Sequence, residues 1–357
     1  MTVLGTRPEI IRLSRVIPLL DEFCEHIVVY TGQNFEYRLS ELFFDQLQVR
    51  APNHRLEVRG ASFAEQISNI LTQIEPLFLK YRPDRVLILG DTNSGLSAIL
   101  ARKLGIPVYH MEAGNRCFDF RVPEESNRRL IDHVSSVLMP YTNRSRENLL
   151  REGFAPDCVY VTGNPIKQVM EFYSQNVENS TIIDDLHLEA KKYFLVTLHR
   201  AENVDSAARL REFWATFAKL HAEFEYPVIC SLHPRTRSRL VEFGISESSD
   251  GIQCLEPLGL FDFLRLERSA LCLLSDSGTV QEEACILGVP NVTLRDVTER
   301  PETIECGSNV LVGCNTGSIL SAVMAVTTLK KVWQPPWEYL EDSVAEKTCR
   351  ILLGAKS

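Results

Sequence analysis

The feature that most restricts the fold of this chain is an alternation running along nearly all of it. Apolar runs at 26–30, 85–90, 106–111, 137–139 and 158–162 are separated by loops and helical signals. A second series follows at 193–198, 227–232, 252–255, 271–275 and 291–294, with helical periodicity at 207–224 and 260–268. Single strands recurring among helices predict parallel sheets wound with helices on both faces. The run at 1–4 is short for a first strand, which points to a late start codon or a truncated strand. After Gly163-Asn164-Pro165 the pattern weakens and QNVENSTIIDD is polar. The reading therefore places one α/β domain at 1–165 and a second at 166–336, with a last helix within 337–357 packing back on the first. At 357 residues the chain exceeds one ordinary core and suits two.

Composition narrows the partners. A net charge of −9 argues against nucleic acid and supplies no basic run for a membrane surface. No apolar stretch is long enough to span a bilayer, and MTVLGTRPE lacks the layout of a signal peptide. Ten cysteines without C-x-x-C spacing, mostly in apolar runs as at Cys230, Cys272 and Cys285, read as reduced buried thiols of a cytoplasmic protein.

Residues able to do chemistry recur at strand ends, where wound sheets place ligands. The densest stretch is 109–133, YHMEAGNRCFDFRVPEESNRRLIDH. Glu112 directly follows its strand, and Pro123 opens a helix with Glu124 and Glu125 in the first turn. The loop between them holds Asn115, Arg116, Asp119 and Arg121. Such charges are often a solvated face, but Gly114, Cys117 and Phe118 interleave them in the manner of a packed loop. Asp91 ends the preceding strand, and Asp-Thr-Asn-Ser is also a good helix start. Several carboxylates on one site can raise one another's pKa and supply both an acid and a base. His199 and His233 end strands of the second half, where either a phosphate or a structural partner would suit them.

Ser275-Asp276-Ser277-Gly278-Thr279 turns a strand into a helix, and its small residues let backbone N–H groups approach an anion. A plain cap by Asp276 or Ser277 is the simpler reading. Glu283 on the same helix is placed to accept hydrogen bonds from a ribose diol, and the charged loop RDVTERPE, 295–302, follows the next strand. G-x-G-x-x-G is absent, which argues against NAD, and no metal-ligand spacing appears.

GTRPEII, GDTNS, HMEAGNR, PEESNRR, TLHRAEN, DSGTVQEEA and RDVTERPE occur in this order. Together they resemble the non-hydrolysing UDP-N-acetylglucosamine 2-epimerases, from the first residues to about 312. The resemblance implies two Rossmann-like doubly wound domains facing across a cleft (GT-B-like), a homodimer, and UDP held mainly by the second domain. It implies that Arg7, Asp91, Glu112, Glu124, Arg128 and His199 are active-site residues. Ser277, Gly278 and Glu283 then bind UDP, and Thr279, Arg300, Arg7 and Arg128 also bind the substrate. The loop after HMEAG and the DSGT turn look like the branch that makes UDP-N-acetyl-L-fucosamine, whereas RDVTERPE looks like the mainstream enzymes. GQNFEY stands where GQH-type sequences are usual, a change that bears on the allosteric substrate site of some members.

The reaction so implied inverts carbon 2 of a UDP-2-acetamido-2-deoxy sugar by eliminating UDP and adding it back through a 2-acetamidoglucal. One base and one acid serve opposite ring faces, drawn from Asp91, Glu112 and Glu124. Arg7 and His199 stabilise charge on the departing diphosphate. No cofactor or metal is required. The alternatives are epimerisation of a 2,6-dideoxy sugar, a GT-B glycosyltransferase, which would share fold and nucleotide site, a hydrolysing epimerase, and a non-catalytic sensor.

Overall fold

The computed structural model describes the chain except residues 33–36, 59, 61, 248–250 and 355–357, so most of the GQNFEY segment lies outside the described residues. The chain divides into two compact units, Met1–Glu171 with Trp337–Ser357, and Phe172–Pro336.

The first unit holds β1 (Thr2–Leu4), β2 (Val28–Tyr30), β3 (His54–Arg55), β4 (Val86–Leu89), β5 (Val108–Met111) and β6 (Val137–Met139), in the order β3-β2-β1-β4-β5-β6. The second holds β7 (Phe194–Leu198), β8 (Val228–Leu232), β9 (Ile252–Leu255), β10 (Cys272–Ser275), β11 (Asn291–Thr293) and β12 (Asn309–Leu311), in the order β12-β11-β10-β7-β8-β9. Counted from each unit's own first strand, the two orders are the same, and every pairing is parallel. This is the doubly wound order of Rossmann-like sheets, with a switch point between β1 and β4 and another between β7 and β10. No sequence repeat announces it.

Strand geometry explains the burial. Along β7, Phe194, Val196 and Leu198 enter one apolar cluster, while Tyr193 and Leu195 enter the cluster on the opposite face. A strand covered on both sides must be apolar at every position, hence the continuous runs in the sequence. Helix Ala207–Phe224 covers the first of these faces with Leu210, Phe213, Phe217 and Leu220. It starts where Ser206 accepts from Arg209 N and stops at Glu225, whose φ of 56° is left-handed.

Two expectations need correction. The run at 158–162 is not a ladder strand: Pro156–Cys158 forms a 3-10 turn and Val159 makes only an isolated bridge to Leu138. Tyr160 N and Thr162 N still donate to Leu138 O and Pro140 O, so the segment borders β6 as an extended edge. Pro156 starts it late, and the left-handed Gly163, with φ 92°, ends it early. The polar stretch after Pro165 holds three short helices, Ile166–Phe172, Ser174–Glu178 and Ile182–Asp185. The cysteines are all free, but only Cys230, Cys272, Cys285 and Cys349 are buried, and Cys24 is exposed.

Helix Val344–Leu353 packs on helix Val16–Phe23 within the first unit, with Cys349 Sγ 3.9 Å from Val16 O. Arg85 donates to the carbonyl oxygens of Leu352 and Gly354 at its end.

Candidate active site

At the switch point of the first unit, the chain leaves β1 through Gly5 and Thr6. Buried Glu9 accepts from Gly5 N at 3.0 Å, from Thr6 N and Thr6 Oγ1 at 2.7 Å each, and from Thr92 Oγ1 at 3.2 Å. Burial pushes its carboxyl up to about 7, and those hydrogen bonds restrain the rise. The sequence reading passed over Glu9; the T-x-x-E spacing from Thr6 was the signal that marks it. Arg7 lies between, its guanidinium 5.6 Å from the centre of the Phe43 ring.

The chain leaves β4 through Gly90, which has a φ of +72°. Asp91 follows. Arg128 donates to it from Nε at 3.0 Å, and Arg128 Nη2 lies 2.7 Å from the same oxygen. The helix-start alternative for Asp91 does not describe its carboxylate. The N-cap of the next turn is Thr92, not Asp91, and the Thr92 side chain makes no cap bond. Arg128 also donates to Glu125, which is buried and accepts from Cys117 N and Arg129 as well. Of the two adjacent glutamates, Glu125 thus braces the loop while Glu124 is half-buried beside it.

Glu112, directly after β5, has a φ of +65°, a rare conformation for a residue with a side chain. Such strain persists only where the surroundings hold it. Here Arg12 donates to Glu112 Oε2 at 3.3 Å and Asn115 to Oε1 at 3.2 Å. A Cβ on Gly90 would stand 3.7 Å from Glu112 Oε2, so the carboxylate lies over the neighbouring strand end.

Beneath the loop, buried Asp132 accepts from Gly114 N at 3.2 Å, contacts His110 Nδ1 at 2.8 Å and pairs with Arg116 at 2.8 Å. His110 Nε2 donates to Gly90 O at 2.8 Å, tying the two strand ends together. Burial pushes the Asp132 carboxyl up, but His110 and Arg116 outweigh it and hold it below the usual range. At the loop's exposed side, Asp119 and Arg121 form a pair at 2.6 Å, and there the solvated-face reading holds.

In the second unit, β7 and β10 are neighbours with Thr197 opposite Ser275, so His199 and Asp276 emerge together. Asp276 is fully buried and accepts from His199 N, Arg200 N and Asn203 Nδ2, with His199 Nδ1 at 3.1 Å. Burial raises its carboxyl, but His199 and these donors outweigh that and lower it. The cap reading therefore fails here also: Asp276 braces the neighbouring strand end, and Ser277 at the N-cap makes no side-chain cap bond. Helix Gly278–Leu287 follows directly from this turn.

The loop 295–302 lies against this turn. Glu299 pairs with Arg295 at 2.7 Å, and a Cβ on Gly278 would meet its Oε1 at 2.7 Å. Thr298 Oγ1 donates to Gln281 Oε1 at 2.7 Å. Arg300 is buried, paired with Glu282, and donates to Glu299 O. Thr279 is half-buried, and Glu283 is buried one turn further on. His233 stands near His199, ring centres 6.4 Å apart.

A family model of UDP-N-acetylglucosamine 2-epimerases matches residues 20–353. The chain belongs to that family. It is 41% identical to the UDP-N-acetylglucosamine 2-epimerase of Methanocaldococcus jannaschii, over 99% of this chain and 98% of the relative. A crystal structure of that 2-epimerase in complex with UDP-GlcNAc and UDP matches with a TM-score of 0.93 at 40% identity, covering 98% of each chain. The UDP-2,3-diacetamido-2,3-dideoxy-D-glucuronate 2-epimerase of Pseudomonas aeruginosa is 36% identical over 94% of this chain and 93% of its own. In family terms, GTRPEII, GDTNS and HMEAGNR are the three strand-end turns of one sheet, and DSGT with RDVTERPE is one packed assembly on the other. Among the described residues, no helix is long and apolar enough to cross a membrane, and no cluster of three or more His, Cys, Asp or Glu could hold a metal.

Proposed function

We propose that the protein inverts carbon 2 of UDP-N-acetylglucosamine, working as a cytoplasmic homodimer without cofactor or metal. The observation that carries this is the near full-length likeness, at 40% identity, to a 2-epimerase structure holding UDP-GlcNAc and UDP. The chemistry follows from the groups present. A base takes the weakly acidic carbon 2 proton while UDP leaves carbon 1. UDP then re-adds to the 2-acetamidoglucal with a proton delivered to the other face. Asp91, Glu112 and Glu124 supply the acid and base. Arg128 holds Asp91 oriented, and Arg7 and His199 stabilise the leaving diphosphate. Ser277, Gly278 and Thr279 offer the helix N-terminus to UDP, Glu283 accepts from its ribose, and Arg300 fixes the adjoining loop.

A second substrate is favoured by the 36% identity to the diacetamido-glucuronate 2-epimerase, which differs in the substituents at carbons 3 and 6 and not in the carbon 2 step. One experiment tests both. The purified protein is incubated in heavy water with UDP-GlcNAc and with its 6-deoxy and 3-acetamido-uronate relatives, and the anomeric signals are followed by NMR. A new epimer carrying deuterium at carbon 2 is expected. Epimer without deuterium rejects the elimination route, and sugar transfer to an added acceptor without epimer rejects the isomerase.

A further inference from the structure

Two helices flank the nucleotide turn of the second unit, Leu260–Ser269 and Gly278–Leu287. They pack through Leu266 and Ala270 of the first and Val280 and Ala284 of the second, all in one apolar cluster. Each helix carries a glutamate into this contact. Glu267 is 0% exposed and Glu283 is 3% exposed. The two carboxyl groups face each other, and among the described residues neither oxygen of Glu267 has a hydrogen-bond partner that is a donor. Among those residues no arginine, lysine or backbone N–H answers its charge.

Two carboxylates in contact inside an apolar layer cannot both be ionised. A buried carboxylate without a donor or counter-charge takes up a proton instead. Burial, and then the facing charge of Glu283, push Glu267 well above the usual carboxylate range. The proton therefore stays on Glu267, the partner with no donor. A neutral carboxylic acid has one O–H to give, and Glu283 is the acceptor it faces.

We propose that Glu267, kept as a neutral acid, is a positioning residue: it donates its hydrogen to Glu283 and holds that carboxylate in the orientation that accepts the ribose hydroxyls of a uridine nucleotide. This rests on Glu283 being the ribose acceptor. Without the O–H of Glu267, one Glu283 oxygen loses its donor and the side chain is free to rotate away from the diol. The arrangement resembles the carboxylic acids that some enzymes keep neutral in order to donate a hydrogen bond.

The test measures affinity for UDP and for 2′-deoxy-UDP by calorimetry in the wild type, Glu283→Ala, Glu267→Met and Glu267→Gln. Methionine fills the apolar site without a donor, so the fold is retained, and thermal unfolding checks this. Glutamine keeps the planar shape and offers an N–H. The wild type should prefer UDP. Glu283→Ala should abolish that preference, and Glu267→Met should weaken UDP about tenfold, the worth of one hydrogen bond to a charged group, while affecting 2′-deoxy-UDP less. Glu267→Gln should restore most of the preference. An unchanged UDP preference in Glu283→Ala rejects the ribose reading and the proposal with it. A lost preference in Glu283→Ala with a wild-type preference in Glu267→Met rejects the positioning role alone. Equal losses for both nucleotides in Glu267→Met, tracking lower stability and not rescued by glutamine, mark Glu267 as structural and overturn the proposal.

Discussion

Arg128 holds the carboxylate of Asp91 at 2.7 Å while its Nη1 donates to Glu125 at 3.2 Å, so one guanidinium fixes a strand-end acid and the helix glutamate that accepts from Cys117 N of the preceding loop. The pairing fixes the direction of the Asp91 carboxylate at the strand end.

Amide replacements separate a proton-transfer role from a structural one. Asp91→Asn, Glu112→Gln and Glu124→Gln should each lower turnover by about 10²–10⁴-fold if the residue transfers a proton, with UDP affinity largely kept. Steady-state kinetics beside calorimetric titration with UDP is the check. Near-normal turnover in any one variant removes that residue from the acid–base pool.

Two glycines should fail in different ways. Gly90 has a left-handed φ of +72°, and a Cβ there would make only an ordinary contact, 3.7 Å from Glu112 Oε2, so Gly90→Ala should cost about 1–2 kcal/mol in urea unfolding, chiefly through the backbone. A Cβ on Gly278 would instead meet Glu299 Oε1 at 2.7 Å. Gly278→Ala should displace Glu299 and weaken UDP binding severalfold, with a smaller change in stability.

Glu9 predicts a slope of stability on pH. Its folded pKa of about 7 lies above its unfolded value, so the folded protein binds this proton more tightly. The associated stabilisation is complete below about 4.5 and is lost as pH rises through about 7, a change on the order of 3 kcal/mol. Urea unfolding from pH 5 to 8 should show the wild type losing stability relative to Glu9→Gln. Parallel curves for the two proteins would reject the protonated Glu9.

Asp132 and Asp276 act in the opposite sense. Both are buried with lowered pKa values, so their stabilisation is present above about 3.9 and is lost as pH falls through the folded values. Asp132→Asn should cost about 1–3 kcal/mol at neutral pH, because His110 and Gly114 N lose their carboxylate partner while Arg116 keeps its pair with Glu152. It should also flatten the acid limb of the stability profile, which chemical unfolding at pH 3 to 5 would reveal.

Much of the architecture could be read from the chain because strands such as β5 and β7 are covered on both faces and must be apolar throughout. Short elements escaped. β3 has two residues and β12 three, too few to show a period, and the run at 158–162 looked like a strand because an extended edge has the same composition. Motif residues at strand ends were visible, since polar groups directly after apolar runs stand out. Their partners were not. Glu124 and Glu125 are identical neighbours, and only the helix orientation decides which is buried. Glu267, in LRLERS, reads as an ordinary solvent-facing helix residue until Glu283 is placed against it.

The packing of Val344–Leu353 on Val16–Phe23 sets an order for the ribosome. The second unit is encoded wholly within the first, and the face of Val16–Phe23 waits for its cover until Val344–Leu353 emerges. At ordinary synthesis rates that wait lasts on the order of tens of seconds. The nascent first unit thus carries an apolar strip open to chaperones, while the inserted unit has every segment it needs to fold earlier.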